Sequence, residues 1–203
     1  MASLLPVVAF LAAAGATPDE APPPPIRETS LVAGLGVATG EGAGGPGFTL
    51  MATHRFHFLE LGLDCQAAAF MSRMAGIGGV GGLHFGEDFS LRLLGSAGIH
   101  TYGAIGSQLL SNDPGVSGTV PYAGGRLVLG YSFPARSRLP HRAFIGLLGG
   151  IDQDLARKQR SVTYVEEGFI FGGTTIQTST HTVGQLTMSG FLVAGVDLDF
   201  VGY

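Results

Sequence analysis

From Thr29 onward, apolar residues recur at every second position, the spacing of extended strands with two unlike faces, and helical spacing is nearly absent. In TSLVAGLGVA, Leu31, Ala33, Leu35 and Val37 share one face, with Val32, Gly34, Gly36 and Ala38 on the other. The clearest case is FLELGLDCQAAA, where Leu59, Leu61, Leu63 and Cys65 oppose Glu60, Gly62, Asp64 and Gln66. FTLMATHRF, GIGGVGGLHF, FSLRLLGSAGIHT and YAGGRLVLGYSF alternate in the same way, AFIGLLGGIDQD is more apolar on both sides, and GFLVAGVDLDFVGY closes the chain as the eighth segment.

The stretches between segments alternate too. Short ones fall near His57, at Gly86–Asp88 and, somewhat longer, at PARSRLPHR; GEGAGGPG, MSRMA, the stretch after Thr101 and the stretch after Asp154 are longer or richer in glycine. Short and long connections at opposite ends of one antiparallel sheet predict an all-β, eight-stranded, antiparallel up-and-down transmembrane barrel, with short periplasmic turns and long extracellular loops. The minor faces hold mainly glycine, alanine and serine, which suits a crowded lumen, while the major faces carry large side chains. Phe56, Phe85, Phe89, Tyr131 and Phe133 gather at the short-turn end, as one aromatic girdle would.

Composition supports that orientation. Charged residues make up 13% of the 203 positions, far fewer than a solvated exterior carries, and Lys158 is the single lysine. So little cationic charge also argues against nucleic acid as a partner. No run of about 18 apolar residues could span a bilayer as a helix. MASLLPVVAFLAAAGATPDE has a short apolar core followed by Ala14 and Ala16, so residues 1–16 are expected to be a signal peptide. Four consecutive prolines make 17–28 a linker, leaving 29–203 as the barrel domain. Cys65 is the only cysteine, which excludes an internal disulfide.

The last segment carries Gly195, spaced apolar Leu198 and Phe200, and terminal Tyr203. With the leader, the strand count and the loop asymmetry, it resembles the small eight-stranded outer-membrane β-barrel family of Gram-negative bacteria over Thr29–Tyr203. That resemblance implies that these four residues act as the signal read by the barrel assembly machinery, although Tyr203 departs in phase from Leu198 and Phe200. It also implies outer-membrane lipid as the surrounding medium.

If the minor faces are luminal, Arg55, Glu60, Arg92, Asp197 and Asp199 lie toward the short-turn end and Asp64 and Arg126 nearer the middle, a cluster of opposite charges in one narrow space. Asp197 and Asp199 would meet Arg55 or Arg92. The expected role is structural or surface-interacting, non-enzymatic, with a charge-plugged lumen and no cofactor or metal. The alternatives are a small channel for hydrophobic solutes or ions, an outer-membrane lipid hydrolase, and a soluble secreted ligand-binding barrel. Ser111, Asp113 and His181 are the residue types of a hydrolase, but nothing in their spacing selects them. His54 and His57 fall on opposite faces of a strand, which disfavours a shared metal and leaves turn or interfacial histidines as the default, whereas His84 and His100 both fall on the minor face, as hydrogen-bonded luminal histidines would. The stretch 155–185 keeps strand-like alternation, so the two strands flanking it are expected to extend as a polar hairpin offering Tyr164, Phe169 and Phe171 to a surface partner.

Overall fold

The structure, a computed structural model, describes residues 27–40, 44–69, 73–105, 115–133, 141–167 and 174–199. They form β1 (Arg27–Gly40), β2 (Gly44–Phe56), β3 (Leu59–Ala69), β4 (Arg73–Phe85), β5 (Phe89–Ile105), β6 (Val116–Ser132), β7 (His141–Asp154), β8 (Lys158–Glu167), β9 (Thr174–Val183) and β10 (Leu186–Asp199). Eight strands close into a barrel in the order β1-β10-β7-β6-β5-β4-β3-β2, every pair antiparallel. Closure is made by β1 against β10, in unbroken register from Glu28↔Asp199 to Gly40↔Thr187. It leaves no open edge in the main sheet.

The two faces of each strand meet opposite surroundings. Leu35, Leu63 and Phe89 on the outer wall are 75%, 64% and 69% exposed, whereas Arg92 and Glu60 inside are 0% and 1% exposed. Glycine makes the interior wide enough for such side chains. A Cβ on Gly124 would stand 2.1 Å from Asp152 Oδ1, and one on Gly78 would stand 2.5 Å from Tyr122 Oη. Those two positions are the sockets in which Asp152 and Tyr122 sit.

Three features differ from the sequence expectation. First, β1 begins at Arg27, two residues inside the span read as linker, and residues 1–16 lie outside the described residues. Second, GEGAGGPG and MSRMA are mostly strand: only 41–43 separate β1 from β2, and only 70–72 separate β3 from β4. Gly44 and Gly45 pair with Thr39 and Ala38 at φ +145° and +135°, extended conformations that glycine alone tolerates, so residues that look like a loop signal continue the ladder. The length asymmetry is therefore carried by 106–115 and 155–185 against turns at 57–58, at 86–88 and the longer 133–140.

Third, 155–185 does not prolong β7 and β10. It folds back as a separate two-stranded sheet, β8 against β9, in continuous register from Lys158↔Val183 to Glu167↔Thr174. The break has a cause in the chain: Gly184 turns at φ +107°, and a Cβ there would lie 2.1 Å from the Ala156 carbonyl oxygen. Leu155 N–H donates to Pro121 O at 2.8 Å, which draws the root of the hairpin onto β6.

Candidate functional site

Near the turn end, one inward side chain from each barrel strand enters a common layer: Ser30, Thr53, Glu60, His84, Arg92, Ser132, Phe144 and Asp197, on β1 to β7 and β10 in chain order. Arg92 is the hub. Its Nη1 lies 3.1 Å from Glu60 Oε1, its Nη2 lies 3.3 Å from Asp197 Oδ1, and its guanidinium carbon sits 4.8 Å from the centre of the Phe144 ring. Ser132 Oγ donates to Asp197 at 2.6 Å, and the hydroxyls of Ser30 and Thr53 bond Asp197 and Glu60. His84 Nδ1 lies 3.0 Å from Glu60 Oε2.

Arg55 has a different task. Its Nε donates to His57 O at 2.6 Å and its Nη1 to Gly86 O at 3.2 Å, with Glu28 at 3.5 Å. It ties two turns together where His57 adopts φ +58°.

A second cluster lies farther from the turns. Arg126 reaches Asp64 Oδ2 through Nε and Asp152 Oδ1 through Nη1, each at 2.5 Å. Gln66 Nε2 and Ser96 Oγ donate to Asp152 at 2.8 and 3.2 Å. Apolar side chains part the two clusters. On seven barrel strands the next inward side chain beyond the turn-end layer, passing over glycine, is Val32, Met51, Val80, Leu94, Val128, Leu148 or Val193; β3 alone presents Asp64 there. These seven pack in one buried hydrophobic cluster.

The third group sits at the loop end, where the hairpin leaves the wall. The Asp154 carboxylate accepts the Tyr102 hydroxyl at 2.7 Å and the Gln185 backbone N–H at 2.8 Å, and lies 2.8 Å from His100 Nδ1. His100 stacks on Tyr122, with ring centres 4.0 Å apart. Val183, fully buried, closes over Gly118. Asp154 thus fastens the end of β7 to the start of β10. Asp154→Ala removes the acceptor of a buried backbone N–H, a loss of about 1–3 kcal/mol. The expected result is faster hydrogen exchange at Gln185 and earlier proteolysis of the hairpin, with the barrel itself still folded.

Among the described residues, the buried interior carries six carboxylates, Glu28, Glu60, Asp64, Asp152, Asp154 and Asp197, against three arginines and two histidines. Arginine alone does not balance them, and neutral donors such as Ser30, Thr53, Ser96, Tyr102 and Ser132 supply further hydrogen bonds. Of the residues singled out by sequence, Glu60, Arg92 and Asp197 meet in one network, Asp64 and Arg126 meet in another, and Arg55 joins the turns. Asp197 pairs with Arg92, not Arg55. The Asp199 side chain, Phe200 and Tyr203 lie outside the described residues, as do Ser111, Asp113, Phe169 and Phe171. Gly195 faces inward opposite Val32, Leu198 pairs with Thr29, and His181 and Tyr164 lie on the hairpin.

Asp152 and Asp154 were not anticipated as charges of the cluster. Their signal was present in IDQD, where an i, i+2 spacing sends both to one face, but the apolar residues on both sides of that segment concealed which face. Among the described residues no group of three or more His, Cys, Asp or Glu side chains is arranged to hold a metal ion.

No family model and no curated protein matches the sequence. Among solved structures, the chain is similar to the crystal structure of a major outer membrane protein from Thermus thermophilus, at 13% identity and a TM-score of 0.36, over 86% of this chain and 99% of that one. A likeness that loose carries no weight beside the barrel's own geometry.

Proposed function

We propose that the protein is a non-enzymatic outer-membrane barrel with a structural or surface-interaction role, its lumen plugged by paired charges. One observation carries this reading: the barrel is inverted, with large apolar side chains outside and buried ion pairs inside. A wall of leucine, isoleucine and phenylalanine that continues around a closed sheet needs a lipid covering, because in water it would be an aggregation surface. The same inversion counts against a soluble ligand-binding barrel, whose apolar face would line a cavity.

The lumen supports the plug. Its three polar groups span most of the barrel, and the apolar layer between the first two leaves little place for a continuous file of water. Arg92 and Asp154 are buried, each bridging strands across the interior, and neither offers a substrate an approach. The exposed Phe56, Phe85, Phe89, Tyr131 and Phe133 fit a girdle at the turn-end interface, with Tyr131 and Phe133 edge to face at 5.1 Å. At the other end, the Thr- and Ser-bearing hairpin is the natural surface for a partner, its outer face holding the Ser161–Thr180 and Thr163–Thr178 hydroxyl pairs at 2.9 and 3.1 Å.

Cell fractionation tests the location, and planar-bilayer recording tests the plug. Recovery with detergent-extracted outer membrane and no resolvable conductance steps are the expected results. Steady ion-selective steps would make the protein a channel, and recovery in the soluble fraction would overturn the membrane reading.

A further inference from the structure

Beyond the barrel, the ten-residue strand β8 has β9 on one side and no described strand on the other. The hairpin leans on the barrel chiefly through β9, which lies close to β5 and β6 and buries Val183 over Gly118. An open edge of this length presents backbone N–H and C=O groups that template a further strand. Charge runs along it in one direction. Lys158 and Arg160 stand near the root, Glu166 and Glu167 near the far end, and the residues from 161 to 165 carry no fixed charge. β9 has no Asp, Glu, Lys or Arg, so none of the four meets an opposite charge across the β8–β9 ladder.

We infer that β8 pairs with β8 of a second copy of this chain, antiparallel, with Thr163 on the two-fold axis. This deepens the surface-interaction reading of the hairpin and rests on it. A strand with cations at one end and anions at the other is complementary to itself when reversed. With Thr163 on the axis, Arg160 stands opposite the partner subunit's Glu166 and Gln159 opposite the partner subunit's Glu167, and the symmetry repeats both pairs. Residues directly opposite share a face, so Val162 also meets the partner subunit's Tyr164, a β-branched side chain against an aromatic ring. Parallel pairing in register would instead set Lys158 on Lys158 and Glu166 on Glu166, repulsive at both ends. Charges that guard the edge against parallel pairing therefore select the antiparallel one, whereas the uncharged β9 makes no such selection.

The test uses full-length protein folded in detergent micelles, where two copies can meet in any orientation, with Cys65→Ala so that one introduced thiol reports contact. Thr163→Cys is expected to give a disulfide-linked dimer on oxidation, because a residue on the axis faces its own copy at about 4.5–5.5 Å between Cα atoms. Thr178→Cys, at the ladder partner of Thr163 on β9, is expected to stay unlinked, since the two β9 strands would be three strand spacings apart, roughly 14 Å. Without added cysteine, Arg160→Glu and Glu166→Arg are each expected to weaken association about tenfold in sedimentation equilibrium. A mixture of the two variants should recover it, because each then supplies the charge the other needs. Cross-linking at Thr178 as strong as at Thr163 overturns the β8 edge, and a mixture no tighter than either variant alone overturns the charge register. A parent that stays monomeric overturns self-pairing and leaves the edge to an extended segment of another protein; the membrane reading still stands if the folded band persists on an unheated gel. Protein that stays dispersed and folded without detergent overturns the membrane reading itself.

Discussion

Replacing Arg92 with alanine is expected to destabilise the barrel by about 3–5 kcal/mol, the scale for removing one partner of a buried ion pair. Arg92 is the cation that touches both Glu60 and Asp197, and it has no exposed surface. Its loss leaves two carboxylates in a space closed by the apolar layer on one side and by the Arg55-tied turns on the other. It also leaves a void against the Phe144 ring. Ser30, Thr53 and Ser132 would still donate hydrogen bonds, but hydroxyls do not cancel charge. The midpoint of urea unfolding in micelles should fall, and the folded band on an unheated gel should be lost at a lower temperature than for the parent.

Coupling separates lost charge balance from lost volume. In the Arg92→Ala background, Glu60→Gln with Asp197→Asn should recover part of the stability, because neutral amides no longer demand a cation, although each single change in the parent is destabilising. If the triple variant is no better than Arg92→Ala alone, the penalty is a cavity and the charge account fails. Arg92→Lys should fall between parent and alanine, since one ammonium cannot fork to two carboxylates as the guanidinium does.

These residues show how much of the arrangement could be read from the chain. The face assignment was legible wherever alternation was strict: Glu60 and Asp64 oppose Leu59, Leu61 and Leu63 in the sequence as they do in the wall. Closure of the last segment on the first was legible because eight strands of even parity leave two edges that must meet. Which carboxylate meets which arginine was not legible, because partners across the lumen depend on strand tilt and stagger. Arg126, for example, lies opposite Gly150 in the β6–β7 ladder yet bonds Asp152.

Local glycine signals misled for a related reason. At Gly44 and Gly45 the chain has the composition of a loop, but pairing with β1 takes precedence over that preference. At Gly184 the same residue type breaks the chain between hairpin strand β9 and barrel strand β10, where the Ala156 carbonyl occupies the space a side chain would need. The distinction is tertiary: glycine permits both outcomes, and the neighbouring strand selects one.

The second large effect is expected from Leu63→Arg, and it tests the medium outside the barrel directly. Leu63 stands on the outer wall midway along β3, 64% exposed, with Ala52 and Gly79 as its ladder neighbours. Neither can cover or pair a guanidinium. If lipid surrounds the wall, the charge costs roughly 2–4 kcal/mol near the midplane, and insertion into vesicles slows while the unfolding midpoint falls. If water surrounds it, the same change replaces an exposed leucine with a solvated side chain and leaves stability within about 0.5 kcal/mol of the parent. Thr163→Arg on the hairpin is the matched control, because that position is exposed to water on either account. A penalty at Leu63 with none at Thr163 requires a lipid-facing wall. Equal, small effects at both would mean that the inverted polarity has some other covering, and the membrane placement would have to be abandoned with it.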